Sequence, residues 1–231
     1  MVLTGTRRVL AMVIALGVAV PARAQAPDAI VLAQFWEACI APAPAGSRAG
    51  LCAAAIAMGG WSPIEQASLL ANRANSEIAV GETVAGMAHL DEALSLNPHE
   101  PLGLLVRGSL GVARGAFAEG IADLSDFLRL VPDHFDALSL RGAALARTGH
   151  WMRAVGDLTT ALRQRPDHPA LLQNRANVLR DSGAVEQALR DYDRLLLLHG
   201  RSAPRLTDRC LARLVRGDLR VAEADCEAAV A

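Results

Sequence analysis

Residues 135–166 read FDALSLRGAALARTGHWMRAVGDLTTALRQRP, and this stretch decides the fold because its pattern returns every 34 residues. One glycine, one leucine and one arginine keep that step through five copies. The glycines are Gly81, Gly115, Gly149, Gly183 and Gly217; the leucines are Leu70, Leu104, Leu138, Leu172 and Leu206; the arginines are Arg73, Arg107, Arg141, Arg175 and Arg209. A fixed period of this length indicates an array of repeated units and not one compact enzyme core.

The register of the units follows from counting Phe135 as position 1, which places Pro166 at position 32. Five units result, covering residues 67–100, 101–134, 135–168, 169–202 and 203–231. Glycine at position 15 separates two helical patterns, because it accepts the left-handed backbone that ends a helix. Small residues at positions 8 and 20 let two helices cross closely, and the proline ends the second helix.

This pattern resembles the tetratricopeptide repeat, a pair of antiparallel helices per 34 residues, over residues 67–231. The resemblance implies an all-α, right-handed solenoid in which the first helix of each unit lines a concave groove. Polar groove side chains are suited to binding the backbone or a carboxylate of a peptide. For each such residue a solvated helix face is the alternative. The groove candidates that the resemblance implies are Asn72, Asn75, Leu105, Arg147, Gln173, Asn174, Asn177 and Arg180.

The repeated arginine at position 7 has an acidic counterpart at position 23 in four units, and a histidine, His89, in unit one. In a hairpin that turns near position 15, positions 7 and 23 lie at similar heights on facing helices. We therefore predict a bidentate arginine–aspartate pair that joins the two helices of each hairpin and has a structural role. The aspartates are Asp123, Asp157, Asp191 and Asp225.

The first 24 residues are typical of a secretory signal peptide. Arg7 and Arg8 precede an apolar run, and Ala22-Arg23-Ala24 gives the small-residue pattern of a cleavage site after Ala24. The run is too short to span a bilayer as a helix, so we expect no stable membrane anchor after cleavage. An uncleaved anchor is the alternative. The predicted location is the bacterial periplasm.

Residues 25–66 do not match the units and predict a short helical cap on the first one. Helical patterns run from Asp28 to Ile40 and from Arg48 to Met58, and Ser62-Pro63-Ile64-Glu65 begins a further helix with capping-box spacing. A separate binding module is the alternative reading of this segment.

Four cysteines form two local pairs, Cys39 with Cys52 and Cys210 with Cys226. In an exported protein an even number of locally paired cysteines indicates disulfides, and both spacings are too long for a zinc site. Buried free thiols are the alternative.

A catalytic role is not expected, because the chain has no nucleophile, metalloprotease or phosphate-loop motif. Three of the six histidines, His99, His134 and His168, fall in links between units and are interpreted as turn residues. No cofactor or metal is predicted. Without its first 24 residues the chain has a formal charge of −4, since three arginines are removed from a total of −1, so nucleic acid is not an expected partner.

The sequence thus predicts a non-catalytic scaffold that binds a protein or peptide partner in the groove. The alternative is a structural subunit of a cell-envelope complex that assembles through the ends of the array. Unit five has Glu223 at position 21, where units one to four are apolar, but leaves Val230 to be covered, so weak self-association is also expected.

Overall fold

The structure is a computed structural model that describes residues 29–42 and 44–230, and these residues form twelve α-helices. The predicted signal peptide, residues 1–24, lies outside the described residues. No described helix is both long enough and apolar enough to cross a membrane. The helices are α1 Ala29–Ile40, α2 Ala45–Met58, α3 Pro63–Ala79, α4 Thr83–Leu96, α5 Pro101–Ala113, α6 Phe117–Leu130, α7 Phe135–Arg147, α8 Trp151–Gln164, α9 Pro169–Asp181, α10 Val185–His199, α11 Ala203–Arg216 and α12 Leu219–Val230.

The ten helices from α3 to α12 form five hairpins, one for each predicted unit. Each helix packs on the next, and the first helices of neighbouring units also contact each other, so the first helices form one continuous layer. The all-α solenoid predicted from the period is confirmed. The first helix of unit one begins at Pro63, so the boundary that the 34-residue register sets at Ala67 lies one turn inside α3.

The repeated glycine makes the turn inside every hairpin. All five glycines at position 15 have positive φ, from 77° at Gly149 to 92° at Gly81, a conformation that side-chain-bearing residues rarely adopt. The repeated leucines at position 4 are all buried, at no more than 4 % exposed, and the three of units two to four lie in the main apolar core. The period therefore marks both the turn and the core of each unit.

The predicted arginine–aspartate pairs are present in units two to five. In unit three, Arg141 donates from Nε to one oxygen of Asp157 at 2.7 Å and from Nη2 to the other at 2.8 Å. Both members are mostly buried, with 18 % and 11 % of their side chains exposed. The same two-bond geometry joins Arg107 to Asp123, Arg175 to Asp191 and Arg209 to Asp225.

Unit one replaces the aspartate by a different acid. Glu77, on the same helix as Arg73, accepts from Arg73 Nε at 2.8 Å and lies 2.7 Å from Nδ1 of His89 on the facing helix. Glu77 is only 4 % exposed. His89 therefore takes part in the hairpin link of unit one through a carboxylate that the period does not mark.

The N-terminal helices form a sixth hairpin. α1 packs on α2 and α3, and α2 packs on α3, which is the contact order of a repeat unit. The sulfurs of Cys39 and Cys52 are at disulfide distance and both residues are fully buried, beside Leu69 of α3. The predicted start of α3 is confirmed, since Ser62 and Glu65 form both hydrogen bonds of a capping box with Pro63 in the first turn.

The second cysteine pair lies inside the last hairpin. Cys210 occupies position 8 and Cys226 position 24, and their sulfurs are also at disulfide distance. In unit three the same two positions hold Gly142 and Leu158, and a Cβ added to Gly142 would lie 2.9 Å from Leu158 Cγ. The cysteine pair thus occupies the point where the two helices cross, which the other units fill with small and apolar side chains.

Candidate functional site

The cleft that contains half of the predicted groove residues lies between units three and four. It has a volume of about 490 Å³ and is lined mainly by the first helices of these units, α7 and α9, with Trp151 at the start of α8. Four of the eight predicted groove residues line it: Arg147, Asn174, Asn177 and Arg180. Asp181 lines the same cleft and gives it one acidic group.

One wall of the cleft is held by a buried tyrosine. Tyr192, on the second helix of unit four, is 1 % exposed and donates its hydroxyl hydrogen to Asn177 Oδ1 at 2.6 Å. Burial raises the pKa of Tyr192, so the phenol keeps the proton that it donates. Gln173 Nε2 also donates to Asn177 Oδ1, at 3.1 Å. The amide oxygen of Asn177 is therefore already occupied.

Arg180 belongs to the same network. Its Nε donates to Asp181 at 2.9 Å, and its Nη1 lies 3.3 Å from the hydroxyl oxygen of Tyr192. Nη1 also lies 3.6 Å from Asp208 of unit five, to which Gln173 donates at 2.9 Å. Burial raises the pKa of Asp208, and the positive charge of Arg180 opposes that rise. Gln173, Asn177 and Arg180 thus form a fixed polar wall that ties unit four to unit five.

Arg147 and Asn174 differ from their neighbours, because neither has a hydrogen-bond or ion-pair partner among the described residues. Arg147 is exposed, and its guanidinium lies 5.8 Å from the ring centre of Phe117, a cation–π contact that leaves its N–H groups available. Asn174 is half-buried at the cleft surface. The cleft therefore combines a fixed wall with two polar groups that are free to bind a ligand.

The remaining three candidates lie elsewhere along the array. Asn72 donates to the carbonyl of Ser68 within its own helix at 2.9 Å, while Asn75 is half-buried and has no polar partner among the described residues. Leu105 is half-buried and packs against the main core, which limits the surface it can offer to a ligand. Large exposed apolar side chains on a first helix occur instead at Ile64 in unit one and, as a group, in unit five, at Leu211, Leu214 and Val215.

The sequence analysis did not identify Tyr192 and Asp208, which hold the side chains of the polar wall in place. Tyr192 is the only tyrosine of the chain and occupies position 24, which is leucine in units one to three. Asp208 occupies position 6 of unit five, on the first helix, which the resemblance places along the groove. Both residues stand out in the register, but their shared contact with Arg180 depends on how unit five packs on unit four.

Two of the three histidines in the links, His134 and His168, have capping or packing contacts through their rings. Nδ1 of His134 accepts from the backbone N–H of Ala137 at the start of α7, at 3.3 Å, and the His134 ring meets Phe127 edge-on. The ring of His168 packs similarly against Phe135. Within the described ranges, no group of three or more His, Cys, Asp or Glu side chains is arranged to hold a metal ion.

No protein-family model matches the chain, and neither does any curated protein. Solved structures are similar to it. A tetratricopeptide repeat protein from Parabacteroides merdae has 20 % identity and a TM-score of 0.61, over 86 % of this chain and 77 % of that one. YrrB, described as a TPR protein with an unusual peptide-binding site, has 18 % identity and a TM-score of 0.66, over 71 % of this chain and 84 % of that one.

MamA from Desulfovibrio magneticus is also similar, with 16 % identity and a TM-score of 0.64, over 71 % of this chain and 93 % of that one. These likenesses agree with the five hairpins that share one register in the described part of the chain. They confirm the resemblance that the sequence predicts: the chain has the tetratricopeptide-repeat fold.

Proposed function

We propose that this protein is a non-catalytic, periplasmic scaffold that binds an extended peptide segment of a partner protein in the cleft between units three and four. The observation that carries the proposal is the pair Arg147 and Asn174, which face the cleft without polar partners while the side chains beside them are fixed. Because these side chains are already held in place, less conformational entropy is lost when a ligand binds.

The chemistry of the two free groups indicates the kind of segment. An asparagine amide both donates and accepts, so Asn174 can pair with a peptide N–H and a C=O. A guanidinium matches the geometry of a carboxylate, so Arg147 favours an acidic side chain or a C-terminal carboxylate. Trp151 adds an aromatic surface to the same cleft. The likeness to YrrB, described as having a peptide-binding site, supports a peptide ligand on this fold.

The test is selection of binders from a random-peptide library displayed on phage, followed by titration of the enriched peptides. The Arg147→Ala, Asn174→Ala double variant is expected to weaken binding of an enriched acidic peptide at least about tenfold, since two charge-assisted or amide hydrogen bonds are lost. Arg180 is left in place, because its removal would also take one contact each from Tyr192 and Asp208 and disturb the polar wall.

Arg153→Ala is the matched control. Arg153 is an exposed arginine on the second helix of the same unit and lines no part of the cleft. If the control weakens binding as much as the double variant does, or if a folded double variant binds normally, the cleft is not the peptide site.

Export rests on the N-terminal sequence, and two observations support it: the charged start with its apolar run, and two cysteine pairs at disulfide distance. Disulfides persist in oxidising compartments such as the periplasm. The second candidate function, a structural subunit that assembles through the ends of the array, is favoured by the exposed face of unit five, where Val230 is 88 % exposed.

A further inference from the structure

The repeated arginines link neighbouring units as well as the two helices of one unit. In each of four junctions, Nη1 of the arginine at position 7 reaches back to the side chain at position 25 of the preceding unit. We call that side chain the junction acceptor. The four bonds are Arg107 to Asp91 at 3.3 Å, Arg141 to Ser125 at 3.2 Å, Arg175 to Thr159 at 3.2 Å and Arg209 to Asp193 at 2.7 Å.

The second helix of the preceding unit makes two further contacts with the next unit at each junction. Position 21 lies beside the incoming arginine, since Met87 lines one cleft with Arg107 and Val155 lines another with Arg175. Position 28 packs on the first helix of the next unit; a Cβ placed on Gly103 would lie 3.3 Å from Leu94 Cδ2. Positions 21, 25 and 28 thus form the edge on which the next unit docks.

In unit five the same edge of α12 carries Glu223, Glu227 and Val230. All three are exposed, and neither glutamate has an ion pair with a described residue. Val230 is 88 % exposed, whereas the leucines at position 28 of the other four units are 5–7 % exposed. The last edge therefore keeps the junction acceptor, adds a second acid one turn before it, and presents an uncovered apolar side chain.

We propose that this edge docks an amphipathic helix of a partner protein, with an arginine between Glu223 and Glu227 and an apolar or small residue one turn earlier against Val230. We infer this occupant from the four junctions inside the array. In each of them the arginine at position 7 comes four residues after position 3, which is Gly103 in unit two. At positions 21 and 25 unit five has two carboxylates, where the other units have one apolar residue and one junction acceptor. A pair of carboxylates favours a guanidinium, which binds carboxylates through several N–H groups.

A second copy of the chain is poorly suited to supply this helix. The outermost described helix at the other end of the array is α1, with the sequence AIVLAQFWEACI, and its only charged residue is Glu37. A head-to-tail contact would thus bring a third acid to the two glutamates, and like charges across an interface oppose docking. The edge is independent of the peptide cleft, so its ligand is a separate one.

The test uses the full mature chain and a stapled helical peptide with the sequence of residues 135–147, FDALSLRGAALAR, which in the array docks on the edge of unit two. Fluorescence anisotropy measures its binding. The Glu223→Gln, Glu227→Gln variant is expected to bind about tenfold more weakly, while Glu186→Gln, at an exposed glutamate on α10, is expected to bind like the parent.

A second peptide, with alanine in place of the arginine that corresponds to Arg141, completes the double-mutant cycle. It is expected to bind the parent about tenfold more weakly and to bind the double variant no worse than the first peptide does. The proposal is overturned if the first peptide does not bind at all, or if its affinity is the same for all three proteins. It is also overturned if sedimentation shows a dimer of the parent that the double variant lacks, because the occupant would then be a second copy.

Discussion

At the scale of single residues, the arginine at position 7 has the most contacts with consequences for stability. In unit three, Arg141 donates two hydrogen bonds to Asp157 and a third to Ser125 of unit two. One side chain therefore joins three helices, α6, α7 and α8. Its recurrence in four units has a structural cause, which removes these arginines from the set of ligand contacts.

Removing one such arginine should destabilise the fold. Arg141→Ala leaves Asp157, which is 9 % exposed, without its charged partner, and a loss of about 2 kcal/mol in the free energy of unfolding is expected. Chemical denaturation followed by circular dichroism measures it. Arg153→Ala should change the same quantity by less than about 0.5 kcal/mol. Equal effects of the two substitutions would contradict a structural role for the pair.

Glu100 gives a pH-dependent prediction. It is 4 % exposed, accepts from the backbone N–H of Gly103 at 2.5 Å, and burial raises its pKa above the ordinary 4.5. The folded state therefore binds the proton more tightly than the unfolded state does. The contribution of Glu100 to stability is fully present below pH 4.5 and is lost as the pH rises through the raised pKa.

Glu100→Gln should remove that loss, because the amide does not ionise and its oxygen can still accept from Gly103. Relative to the parent, the variant is expected to become more stable as the pH rises from 4.5 to neutral. Urea denaturation of both proteins at several pH values measures the difference. A difference that stays constant with pH, or shrinks as pH rises, would show that Glu100 is not the group responsible.

At the scale of helices, glycine has two different uses, and the register of the units separates them. At position 15 it makes the turn with positive φ. At position 20 of units one and two, Gly86 and Gly120 let the hairpin helices touch through their backbones: a Cβ on Gly120 would lie 2.9 Å from the carbonyl oxygen of Gly108. Units three to five have alanine there, so their helices cross at a distance that admits one methyl group.

Gly120→Ala should therefore destabilise the protein, by about 1–3 kcal/mol, because the added methyl group meets backbone atoms that cannot rotate away. Gly156→Ala is the matched control: Gly156 is exposed inside α8, with no atom within 4 Å of an added Cβ. It is expected to stabilise by about 0.5–1 kcal/mol through a less flexible unfolded chain. Thermal denaturation compares the two, and the opposite order would contradict close crossing in unit two.

The N-terminal helices are only partly predictable from their sequence. The capping box at Ser62 and the two short helices before it follow from local sequence. That α1 and α2 stack as a further hairpin does not, because they lack the glycine and arginine of the units. Their contacts come from apolar surface at positions that no repeat period marks, and from the Cys39–Cys52 pair, which the local pairing of the cysteines does predict.

At the scale of the whole molecule, the protein is an array in which most contacts join neighbouring helices, so each unit is stabilised mainly by its neighbours. The cysteine pairs lie near the two ends of the described chain, in the α1–α2 hairpin and in unit five. Disulfides at these two pairs would oppose fraying of the hairpins that contain them.

Export and oxidation can be tested together. Produced in a bacterial host with its own N-terminus, the protein is expected in the periplasmic fraction, beginning at Gln25 and with no cysteine available to a thiol reagent under denaturing conditions. Intact-mass measurement before and after reduction gives both results. Recovery of the whole 231-residue chain with four reactive thiols would contradict the proposed location.

The sequence by itself determined the array, the turn glycines, the buried leucines and the arginine–aspartate pairs, because all of these depend on spacing within one hairpin of nearly constant geometry. Only the tertiary structure decided which groove residues are free. Asn177 and Arg180 are held by Tyr192 and Asp208 from other helices, while Arg147 and Asn174 are not. That outcome depends on side-chain reach between units, and a period within the chain carries no such distance.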